Sequence, residues 1–170
     1  MAQTFNAYYG AVAFAATKNM AAILNGHATE VLKIRRITLC NAQTAAVTGV
    51  VCSIELRKYT GGSLTTPTAV TPTSYDTTNT APTTATYGHA GTIGGTAATL
   101  RRIIWSSDEA AASSATSDEL ECFPALNVLY EWQPHSDVQP ITLRQNDMIM
   151  VYNVSGAAGL LDVWIEFTKE

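Results

Sequence analysis

Charge is what this sequence has least of. Asp, Glu, Lys and Arg together make up 14% of its 170 residues, against about 25% in an ordinary globular chain. The missing charge is replaced largely by Thr, Ser and Ala, a polar but uncharged surface that suits contact with neighbouring protein. The net charge of -4 and the scatter of the basic residues exclude the basic patch that nucleic-acid binding requires. Arg35 with Arg36 and Arg101 with Arg102 are the only local basic pairs. Cysteine is scarce as well. Cys40, Cys52 and Cys122 are odd in number and show no C-x-x-C spacing, so neither a disulfide framework nor a zinc site is expected, and the three read as buried free thiols. His27, His89 and His135 lie far apart without a His-x-His or His-x-x-x-His spacing, which removes the cluster that a cupin-type metal site uses. No apolar run reaches bilayer length, and MAQTFNAYYG lacks a basic segment followed by an apolar one, so the expectation is a soluble chain without an export signal.

What is present is strand alternation. The clearest stretch is residues 31–59, VLKIRRITLCNAQTAAVTGVVCSIELRKY, read as two β-strands joined by a short Asn/Gln/Thr/Ala connection. In the second strand Val50, Cys52, Ile54 and Leu56 share one face, while Val51, Ser53, Glu55, Arg57 and Tyr59 share the other. The first strand changes parity: Leu32 and Ile34 fall on one side, Ile37 and Leu39 on the other. A β-bulge at Arg35–Arg36 would keep both pairs facing the core. The two strands together are expected to form a hairpin.

Elsewhere, residues 5–16 fit a strand or an extended arm, and Asn25-Gly26 marks a turn. Residues 60–99, rich in Thr, Ala, Gly and Pro, are read as one long ordered loop anchored by Val70, Tyr75, Tyr87 and Ile93, with room for a short strand. A strand follows at 100–105. Residues 106–119 suit a short helix or a surface loop. Leu126, Val128, Tyr130 and Trp132 share a strand face, Met148 to Val154 form a strand buried on both sides, and Leu161, Val163, Ile165 and Phe167 alternate with Asp162, Trp164, Glu166 and Thr168. Seven or eight strands without a convincing amphipathic helix indicate an all-β, antiparallel β-sandwich, jelly-roll-like, carrying the long Thr-rich loop. The chain divides into an N-terminal arm and first strand over residues 1–27 and a sandwich domain over residues 28–170.

Catalytic chemistry is not apparent in these residues. The carboxylates Asp108-Glu109 and Asp118-Glu119 with Glu121 would suit glycoside hydrolysis, but their Ser/Ala-rich context reads as solvated turns. Gly61-Gly62 and Gly94-Gly95 lack the strand-to-helix context of a phosphate loop and read as turns. Aromatic residues are the better lead. Trp164 and Tyr59 project from strand faces that should be wet, and exposed rings of that kind mark protein contacts or sugar stacking.

The succession VLKIRRITL, IELRKYTGG, a Thr/Pro loop with Asp76 and Asn79, a Gly-Gly, and the final pair ITLRQNDMIMVYNV and LLDVWIEFTKE resembles small virion proteins of tailed bacteriophages, including jelly-roll capsid cement and decoration proteins. The resemblance covers residues 28–170. It implies a non-enzymatic protein without cofactor or metal, on the capsid exterior, assembled as a dimer or trimer and bound to the major capsid protein. Expected contacts are Tyr8, Tyr9 and Phe14 on a docking arm, Arg35 and Arg36 at the bulge, Tyr75 and Tyr87 in the loop, and Tyr59 and Trp164 on strand faces. The alternative is a carbohydrate- or receptor-binding module of a phage tail or fibre.

Overall fold

The computed structural model describes residues 3–42, 50–107, 128–155 and 159–170. In chain order the strands are β1 (Gln3–Ala13), β2 (Lys18–Leu24), β3 (Leu32–Asn41), β4 (Val50–Thr65), β5 (Thr68–Ala69) and β6 (Thr73–Ser74). They continue with β7 (Thr86–His89), β8 (Thr92–Ser107), β9 (Val128–Trp132), β10 (Ile141–Leu143), β11 (Met148–Asn153) and β12 (Leu160–Lys169). Among the described residues there is no helix. One sheet has the order β10-β3-β12-β1-β6, with β9 also paired to β3, and the other runs β5-β7-β2-β11-β4-β8.

Apart from the short β5, β6 and β7, the chain crosses between the sheets at every step except β4 to β8 and β9 to β10. It gives β1-β12-β3-β9/β10 on one side and β2-β11-β4-β8 on the other, the nested order of a jelly roll. The expected fold class is therefore present, but its opening pair is not a hairpin. β3 pairs with β12, whereas β4 pairs with β11 and β8 in the opposite sheet. Each of the two strands has an apolar face, and lying in opposed sheets lets those faces pack against each other across the core. Cys40 and Cys52 consequently sit in different sheets as free thiols. Their connection, residues 43–49, lies outside the described residues, as does Cys122.

The bulge forms where the parity change requires it. On β12, Glu166 pairs with Arg36 and Phe167 with Ile34, so Arg35 is passed over. Leu32, Ile34, Ile37 and Leu39 are all buried as a result. They meet Leu161, Val163, Ile165 and Phe167 of β12 in the central core. Phe5 and Tyr87 stack on Phe167 with centroids 5.4 and 5.6 Å away. Asn25 is fully buried at one end of the sandwich: its amide nitrogen donates to the Glu30 and Leu143 carbonyls, and its Oδ1 accepts from His27 N–H. The predicted turn residue thus ties together the β2–β3 connection and the end of β10.

A second cluster explains why β11 is buried on both faces. Ile149 and Val151 enter the central core, while Met148 and Met150 point out of the sandwich and join Ala22, Tyr59 and Leu64. Leu64 and the partly buried Ile93 come from the far end of the β4–β8 hairpin, beyond a register shift between Thr60 and Ser63. Gly61 and Gly95 have φ of 59° and 106°, backbone that few other residues adopt. The two Gly-Gly pairs read as turns are a corner in the hairpin, which doubles back over the outer face of its own sheet.

The segment read as a loop over 60–99 is ordered but shorter, since β4 continues to Thr65 and β8 begins at Thr92. Between them β6 adds to β1, and β7 adds to β2 and carries β5. The excursion therefore borders both sheets on their β1/β2 side. Of residues 5–16, left open between strand and arm, 5–13 are strand, part of β1 and paired with β12, while 14–16 lie beyond its end.

Deleting Arg35 will force one of the two apolar pairs onto the outer face and lower unfolding free energy by about 3–6 kcal/mol, the burial of two Leu/Ile side chains. Arg35→Ala keeps the extra residue and will change stability by no more than about 1 kcal/mol. Urea titration distinguishes the two; equal losses would contradict the role of the bulge.

Candidate functional site

Because β12 is central in its sheet, its outward residues lie flanked by those of β1 and β3. Successive residues of a strand alternate between faces, so burying Leu161, Val163, Ile165 and Phe167 turns Asp162, Trp164 and Glu166 outward. Trp164 pairs with Tyr8 on one side and Thr38 on the other. The Tyr8 and Trp164 rings stack, centroids 5.1 Å apart at an interplanar angle of 20°, and Tyr8 is 46% exposed. Tyr8 Oη donates to Asp162 Oδ2 at 3.1 Å, and Asp162 Oδ1 accepts from Ala11 N–H at 2.6 Å. That second bond secures the irregular end of β1, where Ala11 has a φ of 49° and the register shifts.

Tyr75 follows β6, which brings it from the Thr-rich excursion to the same face. It is 61% exposed, and its Oη donates to Glu166 Oε1 at 3.0 Å. Arg36 Nε donates to Glu131 Oε2 at 3.0 Å from the β3 side. Arg35 reaches Thr168 and Glu170, and Lys33 is paired with Glu170. Partial burial, followed by the hydrogen bonds to Asp162 and Glu166, raises the phenol pKa values of Tyr8 and Tyr75 above their ordinary 10.0. The hydrogen bond to Glu131 raises that of Arg36. Cys40, on this face beside Asp162, is raised by burial and then by that carboxylate, which leaves its thiol protonated and unreactive at neutral pH.

The structure thus gathers Tyr8, Arg35, Arg36, Tyr75 and Trp164 on one sheet face. It does not bring the other expected contacts there. Tyr9 is fully buried, donating from Oη to the Ala22 carbonyl at 2.7 Å, because it lies one residue from Tyr8 on the opposite side of β1. Phe14 also belongs to the central core. Tyr87 is buried, since β7 is a strand of the second sheet and points it at Phe167. Tyr59 does face outward from its sheet, yet the doubled-back hairpin covers it to 5% exposure. Asp162, Glu166 and Glu131 were not singled out as contacts from sequence. The alternation showed the first two to be outward, but only sheet order shows which tyrosines they hold.

The paired carboxylates Asp108, Glu109, Asp118, Glu119 and Glu121 lie outside the described residues, as does most of the 106–119 stretch. Among the described residues no three His, Cys, Asp or Glu side chains converge as metal ligands, and no helix is long and apolar enough to cross a membrane. Glu55, on the outer side of the other sheet, is a structural ion: burial opposes its charge, but Arg57, Thr99 and Arg102 together lower its pKa. No family model, curated protein or solved structure matches the chain.

Raising a phenol pKa on folding means that the associated stability is complete below the ordinary value of 10.0 and is lost as pH rises through the folded value. Glu166→Gln removes the charge beside Tyr75, so Tyr75 will ionise at lower pH than in the parent protein. NMR titration of the Tyr75 ring carbons measures this, and an unchanged midpoint would show that Glu166 does not hold the phenol.

Proposed function

We propose that the protein is a non-enzymatic virion structural protein of the capsid cement or decoration type, binding the outside of a phage head through the outer face of the β1/β12/β3 sheet. The observation that carries this reading is the stack of the exposed Tyr8 on the half-buried Trp164 at the middle of that face, with the exposed Tyr75 beside it. Aromatic residues kept at a surface and ringed by polar groups are the usual centre of a protein contact. Tyr8 and Trp164 stand on the paired strands β1 and β12, so little of their conformational freedom is lost on docking. The low overall charge and the jelly-roll order agree with the likeness to phage capsid proteins noted from the sequence. The partner in this proposal is the major capsid protein, with copies of the chain associating as a dimer or trimer so that many weak contacts act together.

The rings also keep a sugar-binding alternative in view, although Trp164 presents one of its faces to Tyr8 and Tyr59 is covered. Co-sedimentation with empty phage heads lacking the protein tests the proposal. Binding should occur, should raise the heat resistance of the heads, and should weaken at least about tenfold in Trp164→Ala, as expected for loss of an aromatic anchor. Absence of binding, or binding indifferent to Trp164, would overturn it, and glycan binding abolished by the same substitution would replace it with the sugar reading.

A further inference from the structure

Asp162, Trp164 and Glu166 stand in a row on the outer face, each about 7 Å from the next along the strand, so two carboxylates flank one indole. The bonds that hold these carboxylates come from neutral donors: Tyr8 Oη and Ala11 N–H for Asp162, and Tyr75 Oη for Glu166. Neutral donors fix a carboxylate without cancelling its charge. The nearby cations are already engaged elsewhere, Arg36 with Glu131, and Lys33 and Arg35 with Glu170. Arg36 senses Glu166 at longer range, but among the described residues no Lys or Arg nitrogen forms an ion pair with Asp162 or Glu166.

Among the described residues, the ring stacked on Trp164 is that of Tyr8. Tyr8 stacks on the face toward β1, so the opposite face looks toward β3, where its cross-strand neighbour is the small Thr38. Beyond Thr38 on β9 is Glu131. On the β3 side the row therefore borders Thr38, with Asp162 and Glu166 flanking the indole without an ion-pair partner among the described residues, and with Glu131 beyond, already paired with Arg36.

From this arrangement we infer that the outer face receives an arginine-bearing segment of a partner protein, the guanidinium lying against Trp164 and hydrogen-bonded to Asp162 or Glu166. A planar guanidinium stacks on an aromatic face and donates to a carboxylate from its edge at the same time, whereas an ammonium is a compact point charge. Fixed carboxylates would also repel an acidic partner. The inference rests on the reading that this face is the docking surface, and it adds the chemistry of what docks.

Hexaarginine, hexalysine and hexaglutamate peptides serve as probes against the full chain, read by the Trp164 indole N–H resonance and by titration at increasing salt. Hexaarginine should shift that resonance, bind more tightly than hexalysine, and weaken in salt. Glu166→Gln should weaken it about tenfold, while Asp137→Asn, in an exposed turn remote in sequence from the row, should leave it unchanged. Asp162 also secures the β1 bulge, so Glu166→Gln is the cleaner variant. Equal weakening by Asp137→Asn would reduce the effect to net charge and overturn the inference. So would equal binding of hexaglutamate or an unmoved indole resonance. Phage-head binding that survives Glu166→Gln would retain the docking proposal while overturning the arginine inference. Hexaarginine binding without head binding would do the reverse.

Discussion

The pairing of β12 between β1 and β3 is the constraint on which the rest of the structure depends. It joins β12 to β1 and β3, strands far from it in sequence, so the sheet closes only once β12 is in place. The same strand separates two environments: its inward residues are the floor of the core, and its outward residues line the candidate site. A shift of register by one residue would exchange them, moving four buried apolar side chains into water. The extra residue at Arg35 holds β3 in step with this strand. Asp162, through Ala11, secures the irregular end of β1 on the other side. Core packing and site geometry are therefore set by the same set of backbone pairings.

The second sheet solves a different problem. Met148 and Met150 face away from the sandwich, and left uncovered they would form an apolar patch beside Ala22 and Tyr59. The chain covers them with its own β4–β8 hairpin, bent at paired glycines, instead of with a helix. Among the described residues the two outer faces thus differ: on one, the hairpin covers Met148, Met150 and Tyr59, and on the other Tyr8 and Tyr75 stay exposed beside the half-buried Trp164. Among the described residues the fold covers an apolar patch on one side with its own hairpin and leaves Tyr8 and Tyr75 exposed on the other, which is the contrast that singles these aromatic residues out.

Much of this architecture was legible in the sequence, and the reasons are local. The alternations at Cys52–Leu56 and Leu161–Thr168 specify strands with one buried face, and the parity change at Arg35–Arg36 specifies the bulge. Sheet membership was not legible. Strand patterns are identical whether neighbours in sequence pair in one sheet or face each other across a core, so β3 and β4 were misread as a hairpin. The same limit hid the fate of the tyrosines. Tyr8 and Tyr9 differ only in which side of β1 they occupy, and Tyr59 is covered by residues that lie doubled back by a glycine corner. For the site, alternation identified Trp164 as outward, but the stack with Tyr8 and the arrival of Tyr75 depend on β1 and β6 joining β12 in one sheet.

The central claim is that the outer face of the β1/β12/β3 sheet is where the protein meets a phage head. Hydroxyl-radical footprinting of Tyr8, Tyr75 and Trp164, free and bound to empty heads, tests it most directly. Ile104, 73% exposed on the edge of the other sheet, provides the internal comparison. The account predicts that the three aromatic residues become protected on binding while Ile104 does not. Unchanged labelling of Tyr8, Tyr75 and Trp164 in the bound state, or protection confined to Ile104, would contradict it.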